Sequence, residues 1–469
     1  MQIKFGTDGW RGVMARDYTF ENLSLVAQAT MDYLNREGLW EKGLVIGYDR
    51  RFMSRDFARR VAEIAAGNGI RVRISESYTP TPAVSWAVRQ LGAGAGVMIT
   101  ASHNPPEYNG FKIKEHFGGS ARPSTTKIVE DIVAYNMENG RRIVDMPYAA
   151  GVKKGLIEEF DPCEGYFHQI CRYVDLDLIA KSGIKAIVDP MYGAGSGFIP
   201  RLLGGAAEIH NVENPSFGGQ PPEPIGEHLK ELSGLVASGQ FQVGLALDGD
   251  ADRIGAVDET GEFFSSHCIF TVILKHLIEY KKLTGGVVKT VSTTRMVDLL
   301  AERYGLTLHE TPIGFKHICE LMLAEDILMG GEESGGIGVK GHIPERDGIL
   351  MGLLLLEIMA VNGKGLRQIL HEIMDDIGHF HYRRIDRHID VAAKDALIAK
   401  LVAEPPEEMD GRRVYATNFS DGFKFIFEGG DWLLIRPSGT EPVLRLYSEA
   451  ADQEQVDRFL RAGIMLAAI

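Results

Sequence analysis

The stretch Gly94-Ala95-Gly96-Val97-Met98-Ile99-Thr100-Ala101-Ser102-His103-Asn104-Pro105-Pro106 joins a short apolar run to a polar loop. The run has the length and apolarity of a buried strand. The two prolines cannot sit inside a helix, because each lacks an N–H and its ring clashes with the preceding turn. Ser102 is therefore expected on a tight loop at the carboxyl end of a strand, where open α/β sheets bind their ligands. A serine in such a loop is usually a cap or turn former. Chemistry needs a second observation.

That observation is Asp248-Gly249-Asp250-Ala251-Asp252-Arg253, which follows the apolar run Val243 to Leu247. Three carboxylates at alternate positions offer hard oxygen ligands to a cation. The plain alternative is a solvated acidic turn. An EF-hand loop would use Asp248, Asp250, Asp252 and Glu259, but it needs Gly where Arg253 stands, and its flanks are helices. A cation held by three close carboxylates keeps positions open for a phosphate oxygen, which suits Mg²⁺ and phosphoryl transfer.

With these two stretches the sequence resembles the α-D-phosphohexomutases, the family of phosphoglucomutase and phosphomannomutase. Three further motifs stand in family order: Phe5-Gly6-Thr7-Asp8-Gly9-Trp10-Arg11-Gly12, Gly331-Glu332-Glu333-Ser334-Gly335 and Arg436-Pro437-Ser438-Gly439-Thr440-Glu441-Pro442. Each is weak alone, but five in order are specific, and they span nearly the whole chain.

Length and composition set outer bounds. At 469 residues the chain exceeds a single core. Apolar content of 45% and charged content of 24% are those of an ordinary globular protein. A net charge of −14 argues against a nucleic-acid partner, so local Arg and Lys must attract any anionic substrate. Cys163, Cys171, Cys268 and Cys319 form no CxxC pair, which favours reduced thiols. The first residues carry no signal-peptide pattern, and the apolar run Ile349 to Val361 contains Glu357 and is too short to span a bilayer. A cytoplasmic protein with no membrane partner is expected, as a monomer or homodimer.

Alternating strand and helix patterns predict βαβ units. Leu23, Val26, Ala27, Thr30 and Leu34 share a helical face, Leu44 to Tyr48 reads as a strand, Phe57 to Ala65 as a helix and Val72 to Ile74 as a strand. The loop Gly193-Ala194-Gly195-Ser196-Gly197 lacks the glycine spacing of a dinucleotide site and reads as a turn into a helix. After Gly378 the texture changes. Phe423 to Phe427, Trp432 to Arg436 and Val443 to Tyr447 read as adjacent antiparallel strands, followed by a terminal helix. The expected units are 1–155, 156–258, 259–376 and 377–469. The resemblance implies an α/β fold: three similar domains with mixed, largely parallel sheets and a smaller C-terminal α+β domain, around a central cleft.

The resemblance also implies roles. Ser102 is the phosphoserine, and it joins Asp248, Asp250 and Asp252 around Mg²⁺. Lys112 is the general acid/base, Arg253 contacts the same phosphate, Arg11 edges the site and His103 supports the serine loop. Arg436, Ser438, Gly439 and Thr440, with Arg445, form the second phosphate site. Glu332 and Ser334 read the sugar, with Lys316 and His342 beside them. In the dual-specificity branch a His follows Ser-Gly, whereas this chain has Gly336, so the glucose-preferring branch is expected. The glucosamine branch usually has Gln where Glu333 stands. The expected substrates are hexose phosphates, with glucose 1,6-bisphosphate as intermediate and activator. The rival readings are a dual-specificity mutase, a metal phosphatase and a sugar-phosphate-binding regulator.

Overall fold

The computed structural model describes residues 3–6, 8–438 and 443–467. Three successive α/β units repeat one topology. In the first, Leu44–Tyr48, Val72–Ser75, Ala95–Ile99 and Tyr108–Glu115 follow one another in the chain but lie in the order second, first, third, fourth. The first three are mutually parallel, and the fourth turns back antiparallel to the third. Ala186–Asp189, Ala207–Glu208, Val243–Leu247 and Ile254–Val257 repeat this order. So do Gly286–Thr290, Leu308–Thr311, Ile327–Gly331 and Ile337–Val339.

The repeat places the site. In each unit the connection between the third and fourth strands lies at the carboxyl end of a fully buried strand. Those connections hold Ser102, the aspartate triad, and Glu332 with Ser334. The three loops are thus equivalent pieces of three similar domains.

Edge strands extend the first two sheets past the expected limits of 155 and 258. Ile157–Phe160 adds parallel to Val72–Ser75, and Phe263–Phe264 adds antiparallel to Ile254–Val257. The former exposes Glu158 and Glu159, so no apolar pattern announced it. Trp10–Val13 pairs antiparallel with Tyr108–Glu115 and brings the N-terminal motif to the serine loop.

Helix Gly348–Asn362 is apolar on every side except at Glu357, which is itself buried and paired with His276 and Lys281, so the helix cannot lie at a surface. It is buried in one continuous core shared by the second and third units. Among the described residues no single helix is long and apolar enough to cross a membrane.

The last unit is one antiparallel sheet in the order His381–His388, Val443–Ala450, Trp432–Pro437, Phe423–Phe427, Arg412–Asn418, Glu408–Met409. Its inner face buries Phe425, Phe427, Leu433, Ile435, Leu444 and Leu446 against Val456 and Phe459 of helix Gln453–Ala467. The sequence showed only the three central strands, because His381–His388 and Arg412–Asn418 are mostly polar and half open to water.

Candidate active site

Ser102 adopts the left-handed conformation with φ 53°, which turns its side chain toward the neighbouring unit. Its Oγ donates to Asp248 Oδ2 at 2.7 Å, and its N–H donates to Thr100 Oγ1 at 2.9 Å. The two loops touch directly. A Cβ at Gly249 would lie 2.5 Å from the Ser102 carbonyl oxygen, so only glycine allows this approach.

The ligand oxygens of Asp248, Asp250 and Asp252 lie within 4.8 Å of one another, and all three residues are buried. Asp248 accepts from Ser102 and from the Arg253 N–H at 3.0 Å. Asp250 Oδ2 accepts from Thr81 and from Lys112, the latter at 2.8 Å. Asp252 Oδ2 meets Lys112 at 3.0 Å and Arg346 at 2.8 Å. Asp250 Oδ1 and Asp252 Oδ1 are buried with no hydrogen-bond partner. Burial, then the charges of Asp250 and Asp252, push the Asp248 carboxyl well above the usual range. Orphaned carboxylate oxygens converging on one point fit a hard divalent cation. The triad could therefore hold a metal.

Lys112 projects from Tyr108–Glu115 into the middle of this charge. Its Nζ lies 2.7 Å from Asp8 Oδ2, besides its contacts with Asp250 and Asp252. Burial works against the ammonium, but Asp250, Asp252 and Asp8 outweigh it and hold its pKa well above the ordinary lysine value. Asp8 is likewise opposed by burial, yet Arg346 and Lys112 hold it well below the usual carboxylate range.

Arg11 reaches the serine loop at the Asn104 side-chain oxygen. His103 Nδ1 lies 3.4 Å from Ser102 Oγ, and burial together with Arg253 and Arg11 keeps the ring neutral. Arg253 pairs its backbone with Gly336, so the loop of the aspartate triad and the loop of Glu332 and Ser334 are stitched together. Glu332 accepts from the Gly314 N–H at 3.0 Å, which ties its loop to the start of the helix that carries Lys316. Ser334 is half-buried on the same loop. Arg436 and Arg445 stand directly opposite each other on adjacent strands. Like charges so placed destabilise a sheet, and an anion relieves them. Arg436 Nε is held by Asp421 Oδ1 at 2.9 Å, and Arg445 Nε lies 3.4 Å from Asp386 Oδ2. Ser438 closes the Arg436 strand; Gly439 and Thr440 lie outside the described residues.

His342 is the exception. Its side chain is fully buried, Nε2 lies 2.8 Å from Asp347 Oδ2, and its ring stacks on Trp86. The structure gives it a packing role between units, against Asp347 and Trp86, and does not place it against the triad or Ser102. The residue this stretch does send there is Arg346, which the sequence reading passed over. Its guanidinium meets Asp8, Asp252, Glu345 at 3.2 Å and Glu332 at 3.7 Å. It also explains Gly336. A Cβ there would overlap Arg346 Cδ and lie 2.9 Å from Cγ, so Arg346 fills the space a side chain at 336 would need. Asp8 and Thr81 were also missed as site residues, although Asp8 sits inside the quoted N-terminal motif.

Four family models match the chain in order. They describe phosphoglucomutase/phosphomannomutase alpha/beta/alpha domains I, II and III over residues 2–140, 164–261 and 265–377, and the C-terminal domain over 390–462. The chain belongs to the phosphoglucomutase/phosphomannomutase family. This phosphohexomutase is 32% identical over 467 residues to the phosphoglucomutase/phosphomannomutase of Thermococcus kodakarensis, covering 98% of each chain. It is also 32% identical over 463 residues to a probable phosphoglucosamine mutase of Methanosphaera stadtmanae, covering 97% of this chain and 95% of that one. Among solved structures, the putative phosphomannomutase of Thermus thermophilus superposes on the phosphohexomutase with TM-score 0.85 and 33% identity, over 100% of both chains.

Proposed function

We propose that this phosphohexomutase interconverts glucose 1-phosphate and glucose 6-phosphate through a phosphorylated Ser102 and glucose 1,6-bisphosphate. The observation that carries the reading is the buried Ser102 Oγ, 2.7 Å from one aspartate of a triad whose other members hold Lys112. Phosphoryl transfer is mostly positioning and charge neutralisation, and this cluster offers both.

Mg²⁺ held by Asp248, Asp250, Asp252 and the Ser102 phosphate would supply charge neutralisation on the moving group. The chain's own residues do the rest. The phosphoryl group leaves Ser102 Oγ for a sugar hydroxyl, and the hydroxyl's proton ends on Ser102 Oγ. Lys112, an ammonium among three carboxylates, is the group placed to give Ser102 Oγ a proton and take the hydroxyl's, provided that Mg²⁺, by neutralising Asp250 and Asp252, would bring down the raised pKa those carboxylates impose on it. Arg253 and Arg11 border the same phosphate. After the bisphosphate turns over, its other phosphate returns to Ser102. Arg436, Arg445 and Ser438 hold the phosphate that is not reacting.

The contact between Gly336 and Arg346 supports the glucose preference, because it leaves no room for the histidine of the dual-specificity branch. The test is a kinetic comparison of glucose, mannose and glucosamine 1-phosphates on one preparation, with phosphate release followed in parallel. The expected order puts glucose 1-phosphate first in kcat/KM, with little phosphate released. Equal values for mannose would move the chain to the dual-specificity branch. Preference for glucosamine 1-phosphate would overturn the glucose reading.

A further inference from the structure

The strand Leu44–Tyr48 ends in Asp49-Arg50-Arg51. Its equivalent in the second unit, Ala186–Asp189, runs into Pro190 and Met191. The turns match. In each, the aspartate Oδ1 accepts from the backbone N–H two residues on, at 2.9 Å for Asp49 and 2.8 Å for Asp189. The side chains differ: Arg51 stands where the second unit has Met191, and only the first unit has a serine loop to hold.

Arg51 is wholly enclosed, with a side-chain exposure of 0%. Its Nη2 donates to the carbonyls of Ser102 and Asn104, each at 2.6 Å. Its Nη1 donates to the carbonyls of Pro105 at 2.8 Å and Tyr108 at 3.0 Å. Nε lies 3.3 Å from Asp49 Oδ2, and the guanidinium sits 4.8 Å from the Phe217 ring of the second unit. Asp49 Oδ2 also accepts from Thr100 Oγ1 at 2.6 Å, and that hydroxyl accepts the Ser102 N–H. One planar fork therefore gathers four carbonyls of the serine loop, while its counter-ion fixes the residue that holds Ser102 in its left-handed conformation.

We infer that Arg51 is a positioning residue for phosphoryl transfer: with Asp49 and Thr100 it fixes the backbone of the serine loop so that Ser102 Oγ faces the triad. This rests on the functional reading above. The partners of the Arg51 guanidinium are the loop's carbonyls and Asp49, so its loss should spare Mg²⁺ and sugar affinity and slow the transfer. Lysine keeps the charge but has one compact nitrogen and no fork, and cannot span the four carbonyls. A misplacement of about 1 Å at a reacting atom costs on the order of 100-fold in rate.

The experiment uses the full chain with Mg²⁺ and labelled glucose 1,6-bisphosphate, and follows label on Ser102 by rapid quench. Arg51→Lys should take label on the order of 100-fold more slowly than wild type. The unphosphorylated variant, in which the triad alone supplies the carboxylates for the cation, should keep the wild-type calorimetric affinities for Mg²⁺ and glucose 1-phosphate. Thr100→Val, which removes only the bridging hydroxyl, should show a smaller loss of the same kind, and it decides the matter if Arg51→Lys does not fold. Labelling at the wild-type rate in a folded variant would overturn the inference. So would a loss of rate matched by equal losses of Mg²⁺ and substrate affinity, which would mark a merely structural role. A wild-type chain that takes no label on Ser102 would overturn the functional reading, and this inference with it.

Discussion

Replacing Lys112 by methionine keeps much of the side chain's bulk and removes its charge. The ammonium lies 2.7, 2.8 and 3.0 Å from carboxylate oxygens of Asp8, Asp250 and Asp252, and none of these side chains is more than 9% exposed. Removing one partner of a buried ion pair costs about 3–5 kcal/mol, because the other charge is left without compensation. Here Arg346 still serves Asp8 and Asp252, so Asp250 is the carboxylate most exposed to the loss. The lower end, about 3 kcal/mol, is expected, or on the order of 10 °C in melting temperature for a domain of this size. The sign for the cation is opposite. The triad loses a competing positive charge, so Mg²⁺ should bind more tightly, and a ligand at about 100 times its Kd stabilises by about 2.7 kcal/mol. Calorimetric melts with and without Mg²⁺, alongside mutase turnover, read all three effects. The variant should melt early without Mg²⁺, regain more than wild type when it is added, and turn over poorly. A variant with wild-type melting, Mg²⁺ affinity and turnover would refute the reasoning.

Arg436→Ala should weaken glucose 1-phosphate and glucose 6-phosphate alike, by about 2–5 kcal/mol for a desolvated charged contact, with Mg²⁺ affinity unchanged by titration calorimetry. An effect on only one monophosphate would rule out a shared clamp. Gly336→His should lower glucose activity without creating mannose activity, since the new side chain must first displace Arg346; steady-state kinetics on both sugars checks this. His210 has its pKa raised, first by its hydrogen bond to Asp189. Its stabilising contribution is therefore complete below the unfolded value of about 6.5 and is lost as pH rises through the higher folded value. His210→Gln should melt below wild type at pH 5.5 and match it at pH 9; a constant difference across that range would exclude the linkage.

The residues legible in the sequence were those whose chemistry is written in a few adjacent positions. Ser102 after a buried strand and three aspartates at alternate positions carry their own meaning. The residues that complete the site do so across long loops. Arg346 meets Asp8 from 338 positions away, and Thr81 meets Asp250 from 169. No periodicity or motif spacing records such contacts. Arg51 escaped because a strand ending in Asp-Arg-Arg looks like any polar exit; its four carbonyl partners appear only once the serine loop folds over it. His342 misled for the opposite reason. It lies five positions from Asp347 in a stretch that also carries Arg346, but its ring is taken up by that aspartate and by Trp86. The topological repeat was hidden as well. A strand followed by Asp recurs at Val45 to Asp49, Ile187 to Asp189 and Leu245 to Asp248, but it mixes two places, since Asp49 and Asp189 close first strands whereas Asp248 follows a third.

The central claim is that Ser102 carries the phosphoryl group between the two ends of the sugar. Quenched samples of the full chain with Mg²⁺ and labelled glucose 1,6-bisphosphate, digested and mapped by mass spectrometry, test it directly. Label should appear on the peptide holding Ser102, return to glucose 6-phosphate when glucose 1-phosphate is added, and be absent in an inactive Ser102→Ala chain. Label confined to another residue, with Ser102→Ala as active as wild type, would contradict the account.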